Sequence, residues 1–207
     1  MRPLWLTLLI CAWLLVLPRP WTERILVENG PIEMPTAIAY FIAAILLWSV
    51  SSRQWKRAIP ATLLLIAGGL RELDFQARFT TGYAFSSGYF LRQAAPLQEK
   101  IIVGAVLLLL GMLFMVLLSS NWRVFVHALQ SGQSWARSVA LAIGFMLAST
   151  SLDECAGCLR SQYWGVEDAV FLMWVFEETF EAMIPVLFAV AIVQSAILPA
   201  VERRHAA

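Results

Sequence analysis

Long apolar runs separated by short polar stretches divide the chain. A run of about 17–25 apolar residues crosses a hydrocarbon layer ~30 Å thick, and six segments approach that length. They lie near residues 3–18, 35–52, 60–80, 101–119, 137–155 and 169–198. The second, fourth and sixth are the clearest; "IIVGAVLLLLGMLFMVLLSS", which follows Lys100, holds no charge. The pattern predicts an all-α polytopic membrane protein, a single domain over residues 1–207 built as a bundle of about six transmembrane helices. The first run is short, and its Arg2, apolar centre and Pro18 resemble a signal peptide. No small-x-small cleavage site follows, and Ile10 before Cys11 is a poor lipoprotein context, so an uncleaved anchor is expected.

Composition agrees with the runs. Of 207 residues, 60% are hydrophobic and 14% charged, with a mean hydropathy of +0.72. Soluble domains average about 45–50% apolar and about 25% charged residues. The net charge of +1 carries no clustered excess of Lys and Arg, so a nucleic-acid partner is not expected and the lipid bilayer is the expected partner.

Charge placement sets an orientation. With six spans and a cytoplasmic N-terminus, the cytoplasmic segments hold Arg2, Arg53, Lys56, Arg57, Arg123, Arg137, Arg203 and Arg204, and Glu202 is the acid on that side. The other acids fall in the opposite loops or span ends, which predicts N-in/C-in by the positive-inside rule. With no organellar targeting pattern, a bacterial inner membrane is the expected location.

Helical register turns these charges into candidate chemistry. Counting ~1.5 Å per residue, Glu72 and Asp74 lie about 22–26 Å from Arg57, and Asp153 about 24 Å from Arg137. Glu181 lies roughly 26 Å from Leu198 on a helix of opposite direction, with Glu177 and Glu178 about one turn higher. Three spans therefore bring carboxylates to a similar depth in the outer half of the bilayer, where a charged side chain costs on the order of 2.5–3.5 kcal/mol and must pair, face the bundle interior or meet water. In "GGLRELDFQARF", Arg71, Asp74 and Arg78 stand at i, i+3 and i+7, so Asp74 can pair with either arginine on one helical face. Glu72 points about 100° from Arg71. Glu177 and Glu181 share a face at i, i+4. Such a set can act as a buried ion-pair network that fixes packing. Its seven acids, Glu72, Asp74, Asp153, Glu154, Glu177, Glu178 and Glu181, face only Arg71, Arg78, Arg92 and Arg160 as candidate basic partners. The excess carboxylate needs a proton, hydration or a cation.

A metal there would be held by Glu72, Asp153, Glu177 and Glu181. An all-oxygen set suits a hard divalent cation, Ca²⁺, Mg²⁺ or Mn²⁺. Zinc and di-iron sites draw on histidine, and His127 and His205 both fall on the cytoplasmic side. "DECAGC" offers a different chemistry, because Cys155 and Cys158 have the C-x-x-C spacing of a dithiol exchanger or half a zinc site. A structural disulfide or inert thiols fit the same spacing, although closing such a pair in continuous helix requires distortion.

The remaining features favour packing. Gly68, Gly69, Gly104, Gly111 and Gly144 lie within spans, where small residues allow close helix approach. The nine tryptophans fall mostly near predicted interfaces, as in an aromatic belt. The loop "TTGYAFSSGYFLRQAAP", with Arg92, lies beside the acidic cluster as an ordinary connection or a short substrate-covering element.

"EETFE", at Glu177 to Glu181, is similar to the acidic half of motifs in intramembrane prenyl-protein endopeptidases and undecaprenyl-pyrophosphate phosphatases. The endopeptidase pattern also requires an Arg after the glutamates and later histidines, and the phosphatase pattern a Ser- and Arg-bearing Gly-Pro loop. Neither is present, so no site residue is carried over. Three classes of function fit the sequence. The favoured one is binding of a cation, proton or polar solute at Arg71, Glu72, Asp74, Arg78, Asp153, Glu177, Glu178 and Glu181, as in a transporter component. The others are a membrane-embedded metal- or carboxylate-dependent enzyme acting on lipid, and a thiol-redox protein using Cys155 and Cys158.

Overall fold

A computed structural model describes residues 2–26, 30–51, 55–80, 96–163 and 165–205. Among them the chain forms seven α-helices and no strand: α1 (Arg2–Val16), α2 (Arg19–Leu26), α3 (Glu33–Val50), α4 (Trp55–Glu72), α5 (Leu97–Gln130), α6 (Ser134–Gln162) and α7 (Glu167–His205). A 3₁₀ turn, Phe75–Arg78, follows α4. Helices are the expected outcome in lipid, where each backbone amide and carbonyl must be bonded within its own segment.

Four helices, α3, α5, α6 and α7, are long and apolar enough to cross a membrane. All six segments expected from hydropathy are helical, and two differ from the rest. The first ends at Val16, because the residue before Pro18 is pushed out of helical geometry, and leaves a shorter apolar helix. The chain then reverses into the amphipathic α2. Pro20 is tolerated in its first turn because an amide there has no helical acceptor. The Thr22 hydroxyl donates to the Leu14 carbonyl at 2.9 Å. Leu14 and Leu26 close with Val175 of α7 over a small apolar core, while Arg19, Glu23 and Arg24 stay exposed.

The expected span at 60–80 is also shorter than its pattern suggests. α4 stops at Glu72, and Asp74 adopts a left-handed backbone with φ 46°, a conformation that Asp tolerates better than most residues. The Asp74 amide closes on the Arg71 carbonyl at 2.9 Å, and the next turn is 3₁₀. The helical spacing of Arg71, Asp74 and Arg78 is thereby lost.

α7 organises the bundle, packing against α6, α3 and α1. The main core joins Tyr40, Ala43 and Ala44 of α3 to Leu65 of α4, Ala142 and Phe145 of α6, and Met183, Ile184 and Leu187 of α7. Alanines at the crossings allow the backbones to approach, as small residues do in membrane bundles. Phe145 stacks on Phe180 with ring centroids 4.7 Å apart and planes 12° from parallel. α3 and α4 meet through glycine: a Cβ on Gly68 would lie 2.8 Å from Tyr40 Cε1, and one on Gly69 would lie 3.0 Å from Phe41 Cζ. Gly111 and Gly144 face open space instead. α5 is the outlying helix, with only 6% of its most apolar stretch covered by protein against 39% for α7. From Ile101 to Leu118 its surface is apolar all round, as lipid-facing sides require.

Contacts show which helix ends assemble. Arg19, at the start of α2, pairs with Asp168 at the start of α7 at 2.9 Å. Arg71, at the end of α4, meets Glu181 of α7. The opposite end is held by the Ser138 hydroxyl of α6 and the Gln194 side chain of α7, 3.0 Å apart.

Candidate functional site

The centre of the site is one guanidinium between two carboxylates. Arg71 places Nη2 3.2 Å from Glu181 Oε1 and Nη1 3.5 Å from Glu72 Oε1. Adjacent residues on a helix diverge by about 100°, so Arg71 reaches Glu72 only by folding its long side chain back around the end of α4. The last turn of a helix favours a cation there. The Glu72 side chain is only 7% exposed and that of Glu181 18%, whereas Arg71 is half-exposed.

The next turn of α7 adds two more acids. The Trp174 indole N–H donates to Glu178 Oε1 at 3.1 Å, an i, i+4 bond that directs this carboxylate along its own helix. Glu177, partly buried, lies within electrostatic range of Asp153, Glu181, Arg71 and Arg160. On the far side of α7, Thr179 is buried, with its hydroxyl bonded to the Val175 carbonyl at 2.7 Å and to the Cys11 thiol of α1. That face is tied to packing. One turn below the site, Pro185 is buried within α7 and has no amide to give the Glu181 carbonyl.

Two residues join the site that the sequence pattern had not singled out. Tyr40 of α3, buried against Gly68, lies within electrostatic range of Arg71, Glu72 and Glu181. Glu33, in the first turn of the same helix, lies within range of Glu72 and Glu178. The signal was present: Glu33 and Tyr40 share a face at i, i+7, and a Gly-Gly pair on α4 makes room for the ring. Four helices, α3, α4, α6 and α7, thus surround the charges.

The other sequence candidates take different places. Asp74 sits in the turn after α4, within range of Glu72. Arg78 lies over the Phe75 ring, 6.0 Å from its centroid. Asp153 and Glu154 are exposed on α6. Cys155 and Cys158 are free, exposed thiols, and Cys11 is a free, buried one. Arg92 and the loop at 81–95 lie outside the described residues. Among the described residues, no three His, Cys, Asp or Glu side chains are gathered closely enough to hold a metal ion. Glu72, Asp153, Glu177 and Glu181 are therefore neighbours in charge without forming a cage.

Chemically, the arrangement is acidic and partly desolvated. With all groups ionised, Arg71 offsets only one of Glu72, Glu177, Glu178 and Glu181. Three negative charges then remain in a region where charge is costly. Comparison with protein-family models, curated proteins and solved structures gave no match.

Proposed function

We propose that the chain is a multi-pass membrane protein that binds a proton or a small cationic or polar solute at Arg71, Glu72 and Glu181, as a component of transport across the membrane. The observation that carries this reading is the sharing of one guanidinium by two largely buried carboxylates on helices of opposite direction. A buried carboxylate without a full counter-charge is strongly destabilising unless a proton, a cation or water satisfies it. Here a second carboxylate is held against an already paired arginine, with Glu177 and Glu178 one turn away. Because no three-ligand set is assembled among the described residues, a proton or a singly charged group suits the excess charge better than a divalent metal.

Charge partition favours the six-segment, N-in/C-in arrangement in a bacterial inner membrane. The end bearing α4's C-terminus and α7's N-terminus would hold thirteen of the fourteen acids and seven of the fifteen basic residues. The basic end would then face the cytoplasm.

Infrared difference spectroscopy of the purified protein, titrated with pH, tests the site directly. Protonation of a carboxylate gives a carbonyl stretch that is absent from the ionised form. That band should appear in the unaltered protein and shrink in both Glu72→Gln and Glu181→Gln. A band unchanged in both variants would remove the proposal.

A further inference from the structure

A second cavity lies at the same end of the bundle, beside the carboxylate cluster. α2, the last turn of α6 and the first turns of α7 enclose about 550 Å³, within the roughly 300–1,000 Å³ of small-molecule sites. Its charged lining is Arg19, Glu23, Arg160 and Glu167. Arg19 is already committed: it bonds Glu23 at 3.0 Å and Asp168 at 2.9 Å, and it stacks 4.8 Å from the centroid of Phe171. Arg160 and Glu167 have no ion pair among the described residues. Among the described residues, one cation and one carboxylate without an ion pair therefore line the same cavity, Arg160 also lying within electrostatic range of Glu177.

This pairing selects the ligand's charge. A simple anion drawn to Arg160 would meet Glu167, and a simple cation would meet the reverse. A group carrying both signs satisfies both. The third wall is apolar: Val170, Phe171 and the Trp174 ring belong to the opening turns of α7, a helix apolar enough to cross the membrane. Trp174 turns its N–H inward to Glu178 and leaves its ring to the cavity, the amphipathic placement common at a membrane interface. Polar groups of both signs thus stand above an apolar wall that runs into the bilayer.

We propose that this groove holds the headgroup of a zwitterionic phospholipid, with the phosphate on Arg160, the ammonium on Glu167 and the acyl chains descending past Val170 and Phe171. A guanidinium matches phosphate geometry, and the ammonium supplies a counter-charge for Glu167, which has no ion pair among the described residues. The proposal is independent of proton binding at Glu72 and Glu181.

The test uses the full chain in nanodiscs of equal phosphatidylethanolamine and phosphatidylglycerol, followed by partial delipidation and mass spectrometry of the retained lipid. Phosphatidylethanolamine should be retained in preference. Arg160→Gln and Glu167→Gln should each weaken its retention about tenfold, the loss of one charge-assisted hydrogen bond. Arg160→Lys, which keeps the charge, should retain most of it. Both glutamine changes are at surface positions, so thermal unfolding midpoints should match the unaltered protein. Equal retention of the two lipids would overturn the proposal, as would glutamine variants that hold lipid normally. Water-soluble glycerophosphoethanolamine, which has the headgroup without the acyl chains, should displace the lipid only at large excess; displacement at equimolar concentration would also overturn the proposal, by showing that the ligand is a soluble zwitterion.

Discussion

Arg71 is the residue whose loss should be felt most. Removing it leaves Glu72 and Glu181 facing each other in a poorly hydrated place, and an uncompensated buried charge is more harmful than a missing pair. Arg71→Ala should lower the unfolding midpoint in detergent by the equivalent of about 1–3 kcal/mol. Adding Glu181→Gln should recover part of that loss, because the second change removes the orphaned charge. If the double variant were as unstable as the sum of the two single ones, the residues would not be coupled. Arg71→Lys should rescue only partly, since an ammonium on a flexible stem does not reproduce the fork that reaches both carboxylates. Pairing of Arg71 with glutamates was foreseeable from their depth and charge. Its choice of Glu72 was not, because helical geometry places adjacent side chains apart. Only the termination of α4 at that point gives the guanidinium room to turn back.

Helix endings and helix contacts differ in how much local pattern reveals them. The apolar runs marked the main stretches of six of the seven helices, since apolar length is what the bilayer selects, and missed the short amphipathic α2. "RELDFQAR" continues to look helical past Glu72, because its spacing keeps charges three and four apart. Nothing in that spacing reports that Asp74 will turn left-handed as the apolar run ends. The glycines show the same limit. Gly68 and Gly111 are alike in sequence, yet one presses against Tyr40 and the other faces open space. Gly68→Ala should therefore displace the Tyr40 ring and cost about 1–3 kcal/mol, as overpacking does. Gly111→Ala should lie within about 0.5 kcal/mol of neutral. Thermal unfolding of the two variants side by side makes the comparison. A damaging Gly111→Ala would mean that the open face of α5 is covered in the membrane by another chain.

The proposed arrangement gives the bundle one acidic and one basic end, and its cysteines report on both packing and sidedness. Cys155 and Cys158 are exposed beside Asp153, Glu154 and Arg160, whereas Cys11 is buried between α1 and α7. A maleimide should add twice to the native protein and a third time only after denaturation. With an N-in/C-in arrangement, a membrane-impermeant maleimide added to spheroplasts should label those two thiols from outside. Labelling that requires inverted vesicles would reverse the orientation.

The bond between Arg71 and Glu181 joins residues 110 positions apart. During synthesis at roughly 5–20 residues per second, Arg71 therefore waits on the order of 5–20 s for its partner to emerge. α5, the most apolar helix, can enter lipid unaided. α4, with Arg71 and Glu72 at its end, has its acceptor on α7, three helices later in the chain. Insertion of α4 should consequently be provisional until α7 arrives, held at the translocon or shielded by a chaperone. A chain ending at Gln162 should be degraded rapidly in pulse-chase experiments, and replacing Arg71 and Glu72 by leucine in that truncated chain should lengthen its life. Equal lifetimes would mean that the wait carries no penalty. The site would thus also act as a checkpoint in biosynthesis, because Arg71 meets Glu181 only after another 110 residues have been made.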